Sequence, residues 1–190
     1  NRTADSGGYI TTINLNAVQQ NYAWKAYVGN VTGILTLENA LNYSIYEWPL
    51  SLNGEQEVYI TRNSSIVWGS VNCSNRSIIV TEDLSLSLNS SLANSINKTF
   101  NSTVHKSFSV GGNSIANSSC PAISTYVNDA AQSVSETAKF QEVLLKDSAS
   151  SLVYASLIDQ DQTGFDNTKY DFQAIVAENE LAVTPTTYYF

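Results

Sequence analysis

AKFQEVLLKDSASSLVYASLI, Ala138–Ile158, is the stretch that decides the fold. Two apolar runs, Ala138–Leu145 and Leu152–Ile158, flank a polar turn at Lys146–Ser151. Each run has strand length and strand composition, so the pair predicts two strands joined by a turn. Immediately downstream, Asp159–Lys169 is an acidic loop, and Tyr170–Val176 alternates between apolar and polar residues as a further strand does. Thr186–Phe190 predicts an aromatic strand at the end of the chain.

The same pattern continues toward the N-terminus. Tyr9–Val18 alternates, with Ile13, Leu15 and Ala17 on one face and Thr12, Asn14 and Asn16 on the other. It predicts a half-buried strand, preceded by the polar lead-in Asn1–Gly8. Tyr22–Val28 and Gly33–Leu37 read as a hairpin around a turn at Gly29–Thr32. Asn42–Trp48 is a strand stopped by Pro49, and Asn53-Gly54 is a turn. Glu57–Thr61 and Ile66–Val71 predict a second hairpin, Ile78–Thr81 is short and apolar, and Val104–Val110 alternates up to Gly111-Gly112. Ile115–Asn128 reads as loop around Cys120-Pro121.

Thr81–Phe100 fits two periods. Leu84, Leu86 and Leu88 alternate, while Leu84, Leu88, Leu92, Ile96 and Phe100 recur every four residues. Thr81 as N-cap, with Glu82 and Asp83 in the first turn, favours a short helix. The sum is roughly ten short strands with turn signals near every tenth residue, which predicts an all-β antiparallel sandwich or jelly roll with one short helix. We expect an N-terminal extension over residues 1–18 and a single β-sandwich domain over 19–190. Trp24, Trp48, Trp68 and the eleven Tyr are expected to supply core bulk and rim contacts.

Asn-x-Ser/Thr, the acceptor motif for N-linked sugar, occurs at Asn1, Asn30, Asn42, Asn63, Asn72, Asn75, Asn89, Asn97, Asn101 and Asn117, never with Pro in the middle. Chance placement of the chain's Asn, Ser and Thr gives roughly four such motifs. The excess is concentrated in Asn63–Asn117, which reads as a sugar-bearing surface. Charged residues make up only 14% of the chain, a balance that suits a secreted protein better than a cytosolic enzyme. Met is absent even at position 1, so the N-terminus is expected to be a processed one.

Cys73 and Cys120, the only cysteines, are expected to form one disulfide. It would close a loop of about 48 residues around most of the sequon-rich stretch. The net charge of −8, with Lys and Arg never clustered, argues against nucleic acid as a partner. No run approaches the roughly 18–20 apolar residues of a membrane span.

Signals for chemistry are weak. The single histidine, His105, has no G-x-S-x-G elbow to support a triad and no second histidine to support zinc, so it reads as a hydrogen-bonded structural residue. There is no P-loop and no G-x-G-x-x-G. Asp159-Gln160-Asp161-Gln162-Thr163-Gly164 begins like a calcium loop, with Asp166 and Asp171 nearby. Position 12 is Tyr170 rather than Glu, so the bidentate ligand is missing. Calcium at Asp159, Asp161 and Asp166 therefore competes with an acidic turn closed by Asx hydrogen bonds. No other cofactor and no enzymatic activity are expected.

At AWKAYVGNVTG (Ala23–Gly33), IYEW (Ile45–Trp48) and TGFDNTKYDFQAIVAEN (Thr163–Asn179), the chain resembles archaeal secreted surface proteins. More loosely, it resembles subunits of archaeal surface filaments and pilus-like threads. The resemblance implies a heavily glycosylated β-sandwich subunit whose N-terminal strand completes the sheet of the next subunit. It brings no catalytic residues. The chain departs from type-IV-like archaeal pilins, which begin with a long apolar helix. On this reading Tyr9, Ile13, Leu15 and Ala17 belong to a donor strand, and the partners are identical subunits in a homo-polymer at the cell surface. The same strand pairing within its own chain is the competing reading. A monomeric or membrane-tethered adhesin is the alternative function.

Overall fold

The structure, a computed structural model, describes residues 12–20, 23–32, 34–38, 44–49, 56–179 and 186–190. Strands are β1 (Thr12–Gln20), β2 (Trp24–Thr32), β3 (Ile34–Glu38), β4 (Ser44–Pro49) and β5 (Glu57–Thr61). They continue with β6 (Asn72–Cys73), β7 (Phe108–Val110), β8 (Asn113–Ile115), β9 (Ala122–Ser124) and β10 (Gln141–Lys146). The last are β11 (Leu152–Leu157), β12 (Gln162–Thr163), β13 (Lys169–Tyr170) and β14 (Phe172–Ala177). Two short helices, α1 (Arg76–Ser85) and α2 (Ile96–Thr99), lie between β6 and β7. The fold is all-β, antiparallel and sandwich-like.

The hairpin β10–β11 forms as expected, with Leu144 opposite Tyr154, and is the middle of a five-stranded sheet. β5 pairs on the far side of β11. Both faces of this sheet are covered, which is why β10 and β11 are continuous apolar runs rather than alternating ones. Leu144, Leu152 and Tyr154 pack with Phe172, Ala174 and Val176 of β14 and with Ile79, Ile96 and Phe100 of the helices. Val143, Leu145, Val153, Ala155 and Leu157 meet Phe108, Val110 and Ile115 of the β7–β8 hairpin. A second sheet runs β1-β2-β14.

The other edge of β10 is built from two separate pieces. β9 covers Gln141–Val143, and β6 covers Leu145–Lys146. Between them, Leu144 donates its N–H to the Pro121 carbonyl (2.8 Å) and accepts from the Ser74 N–H (3.0 Å). At this junction Cys73 and Cys120 form the disulfide, with Cα atoms 4.9 Å apart. Residues 74–119 are thus one long excursion from the sheet, with the disulfide across its neck.

Several expectations are corrected. Gly29–Thr32 is not a turn: β2 runs through it, and β3 pairs with β4 instead. Ile66–Val71 forms no hairpin with β5; Trp68–Ser70 is a single 3₁₀ turn, and β5 pairs with β11. The helix starts earlier than expected. Asn75, not Thr81, is the N-cap, its side chain accepting from the Ile78 N–H. Ile78–Thr81 is therefore the first half of α1 rather than a strand.

The four-residue leucine stripe is broken as well. Leu88, Ile96 and Phe100 are buried, but Leu84 and Leu92 are exposed, and Leu86 is buried instead. The chain turns at Ser87, whose φ is 59°. Asp83, fully buried at the end of α1, accepts from the Ile96 and Asn97 N–H groups at 2.7 and 3.3 Å. One carboxylate thereby ties α1 to the start of α2, and two short helices stand where one was expected. Ile115 ends β8, and Ala122–Ser124 is β9, inside a stretch expected to be loop. Thr186–Phe190 forms only one bridge, Tyr189 with Thr61.

Candidate functional site

The excursion closed by Cys73–Cys120 carries Asn75, Asn89, Asn97, Asn101 and Asn117, with Asn72 at its neck and Asn63 and Asn30 elsewhere on the surface. Seven of these eight asparagines are exposed; Asn97 is half-buried. Asn1 and Asn42 lie outside the described residues. Exposure follows from the local structure. Asn63 and Asn89 close Asx turns onto Ser65 and Ser91, Asn75 caps α1, and Asn30 faces outward from β2. These are positions where the backbone meets solvent.

A sugar is attached through the side-chain nitrogen, so the partner of Nδ2 separates the sites. Asn63 donates it to Ser151 Oγ (2.8 Å), Asn97 to the Ser90 carbonyl (3.0 Å) and Asn117 to Glu136 Oε1 (2.6 Å). Among the described residues Asn72, Asn75 and Asn89 engage Oδ1 alone, which accepts a backbone N–H in each case. Asn101 makes no side-chain hydrogen bond among the described residues and is exposed. Asn72, Asn75, Asn89 and Asn101 therefore present their amide nitrogens most openly.

Tyr9 lies outside the described residues; Ile13, Leu15 and Ala17 are in β1. In the single chain β1 pairs antiparallel with β2, Ile13 opposite Val31 and Leu15 opposite Gly29, with a register shift between Ala17 and Gln19. Over residues 14–17 the alternation does not produce a buried face. Asn14, Leu15, Asn16 and Ala17 are all exposed, Leu15 at 37%. Main-chain pairing holds residues 14–17 there, with one close seat. A Cβ on Gly29 would lie 1.9 Å from the Asn14 carbonyl oxygen and 2.9 Å from the Phe172 ring. Gly29, expected to mark a turn, marks the approach of another backbone.

The acidic segment folds as the β12–β13 hairpin, and the carboxylates of Asp159, Asp166 and Asp171 are engaged separately. Asp159 takes the Lys106 ammonium (3.0 Å) and the Phe140 N–H (3.1 Å). Asp171 accepts from the Val31 and Asp161 N–H groups, both at 2.8 Å. Asp166 closes an Asx turn onto Thr168 and takes the Tyr170 hydroxyl, at 3.0 Å each. Asp161 is exposed, and among the described residues no three His, Cys, Asp or Glu side chains gather as a metal site.

His105 is fully buried. Its Nδ1 meets the Lys106 carbonyl at 2.8 Å, and its Nε2 accepts from the Ser119 and Cys120 N–H groups at 3.1 and 3.0 Å. Burial lowers its pKa, which favours the neutral ring that this pattern needs. It fixes the backbone beside the disulfide.

One feature has no counterpart in the sequence reading. A groove of about 740 Å³ opens between the β2–β14 face and β9 with the segment after it. Tyr27, Ile123, Tyr126, Val134 and Ile175 line it, and Asn101 stands on its wall. Tyr126 and Val134 are exposed, at 55% and 69%. The signal in the sequence is Tyr126, Val127 and Val134 in a loop otherwise made of small and polar residues; Val127 turns inward and the other two stay exposed.

Trp24 is half-buried and donates its ring N–H to the Asn94 carbonyl, while Trp68 is exposed against Tyr59. The Trp48 side chain is outside the description. No helix among the described residues is long and apolar enough to cross a membrane. No protein-family profile, no curated protein and no solved structure matches the chain.

Proposed function

We propose that this chain is a structural subunit of a glycosylated extracellular filament or surface coat, polymerising head to tail by strand donation and performing no reaction of its own. The observation that carries the reading is the state of β1. Among the described residues it is an edge strand, exposed over Asn14–Ala17 and paired with β2 through its backbone. Such a strand keeps all of its contacts if it moves from its own β2 to the β2 of a neighbour. The exchange therefore costs little enthalpy, and because the contact is heterologous it repeats into an open thread. The exposed sequons and the disulfide suit a secreted, sugar-coated surface in an oxidising compartment. The archaeal filament resemblance points the same way.

Deleting residues 1–18 tests this. Polymers should be lost, and a synthetic peptide of the deleted stretch should bind the truncated protein. Threads that persist after the deletion contradict strand donation.

The groove favours a second reading, a monomeric or membrane-tethered adhesin that binds a partner there. Particle size on native extraction separates the two: long threads against a single glycosylated chain.

A further inference from the structure

We infer that the groove beside Asn101 is occupied by the protein's own N-linked glycan, carried on Asn101. The inference rests on the reading that the sequons carry sugar. Three features lead to it. First, Asn101 is exposed, its amide is unengaged among the described residues, and its backbone position is set by the neighbouring bridge between Ser102 and Ala122 of β9. The attachment atom therefore stands at the groove wall rather than on a mobile tip. Second, the wall chemistry suits a saccharide. The exposed Tyr126, with Tyr27 on the wall, supplies aromatic surface of the kind against which the C–H faces of pyranose rings pack, with Ile123 and Val134 as apolar neighbours; the Tyr27 ring also meets Phe190, centroids 5.2 Å apart. Ser124 and Asp129 supply polar atoms for hydroxyls.

Third, Tyr126 and Val134 are exposed to a degree that leaves an apolar patch without cover in the bare polypeptide. A glycan tethered at the rim faces that patch at a high effective concentration, whereas a separate partner must be recruited from solution. A smaller hollow of about 310 Å³ on the other side of Asn101 is less suitable, being bordered by Arg76 and Lys98.

The test compares the glycosylated wild type with Asn101→Gln, and with Thr103→Ala, which removes the same sequon but leaves Asn101 in place. Asn89→Gln removes a sugar from an exposed turn away from the groove and serves as control. Glycopeptide mass spectrometry gives the occupancy of every sequon. Binding of the apolar dye ANS and hydrogen exchange over residues 123–134 read the groove.

Asn101 should be occupied. Both Asn101 and Thr103 variants should bind several-fold more dye and exchange several-fold faster over 123–134, and Asn89→Gln should match wild type. If the Asn101 sugar is present but its removal changes neither readout, the inference is overturned. It is equally overturned if Asn101 is bare while other sequons are occupied, and the proposed function then stands. If all sequons are bare, both fall.

Discussion

β11 and β1 are both six-to-nine-residue strands with apolar residues on their faces, yet they stand at opposite extremes of attachment. All six residues of β11 are buried, between the β7–β8 hairpin on one face and β14 with the helices on the other. Residues 14–17 of β1 are all exposed, and its outer side has no strand partner among the described residues. A strand in the middle is fixed by packing, which is not transferable. A strand at the edge is fixed by main-chain hydrogen bonds, which any equivalent edge supplies. The proposed function makes the first a rigid brick and the second a movable connector, built from the same secondary structure.

The contrast should show first in the central sheet. Replacing both Cys73 and Cys120 with Ala opens the neck where β6 and β9 meet along β10. The chain-entropy model puts the loss at about 4 kcal/mol, read as a lower urea midpoint that reductant no longer changes. Leu157→Ala in β11 removes a fully buried side chain and should cost about 3 kcal/mol in the same titration. A small loss there would mean that the sheet is less tightly covered than described.

Gly29→Ala attacks the connector's seat. The new methyl collides with the Asn14 carbonyl, so β1 should detach at a cost of roughly 1–3 kcal/mol. Amide exchange over residues 14–17 should rise to that of an unpaired chain while β10 and β11 stay protected. Polymers should also be lost, because a donated strand meets the same methyl.

Glu142 probes the interior by pH. The side chain is fully buried, its Oε2 accepts from the Ile175 N–H at 3.0 Å, and its Oε1 has no hydrogen-bond partner among the described residues. Burial holds its carboxyl well above the ordinary range, so the folded protein keeps the proton longer than the unfolded chain. The stability from this group is complete below the unfolded value of about 4.3 and is lost as pH rises through the folded value. Glu142→Gln keeps an acceptor for Ile175 and removes the titration. Its urea midpoint should gain on wild type as pH rises; a constant difference would refute the assignment. Smallest of all, Leu15→Ala in β1 should change monomer stability by no more than about 0.5 kcal/mol.

The central hairpin and the disulfide could be read from residues because their signals are local, whereas the pairings of β5, β6 and β9 around that hairpin could not. Two apolar runs around Lys146–Ser151 specify a hairpin, and two cysteines specify one bridge. The misreadings arose where a residue answers to a distant neighbour. Gly29 signals a turn until the Asn14 backbone is seen against it. Ile78–Val80 has strand composition, and only the Asn75 cap and the buried face at Ile79 make it helical. Asp83 reads as a first-turn charge, but its buried contacts to Ile96 and Asn97 depend on a chain reversal at Ser87 that no short pattern announces. Of the candidate site, the sequons and the disulfide were readable as motifs. The groove was not, since its walls come from segments far apart in sequence.

Electron microscopy of the protein extracted under native conditions bears on the whole account at once. We expect threads of repeating glycosylated subunits, each joined to the next through residues 12–20. Solitary particles at high concentration, with β1 still folded onto its own β2, would contradict it.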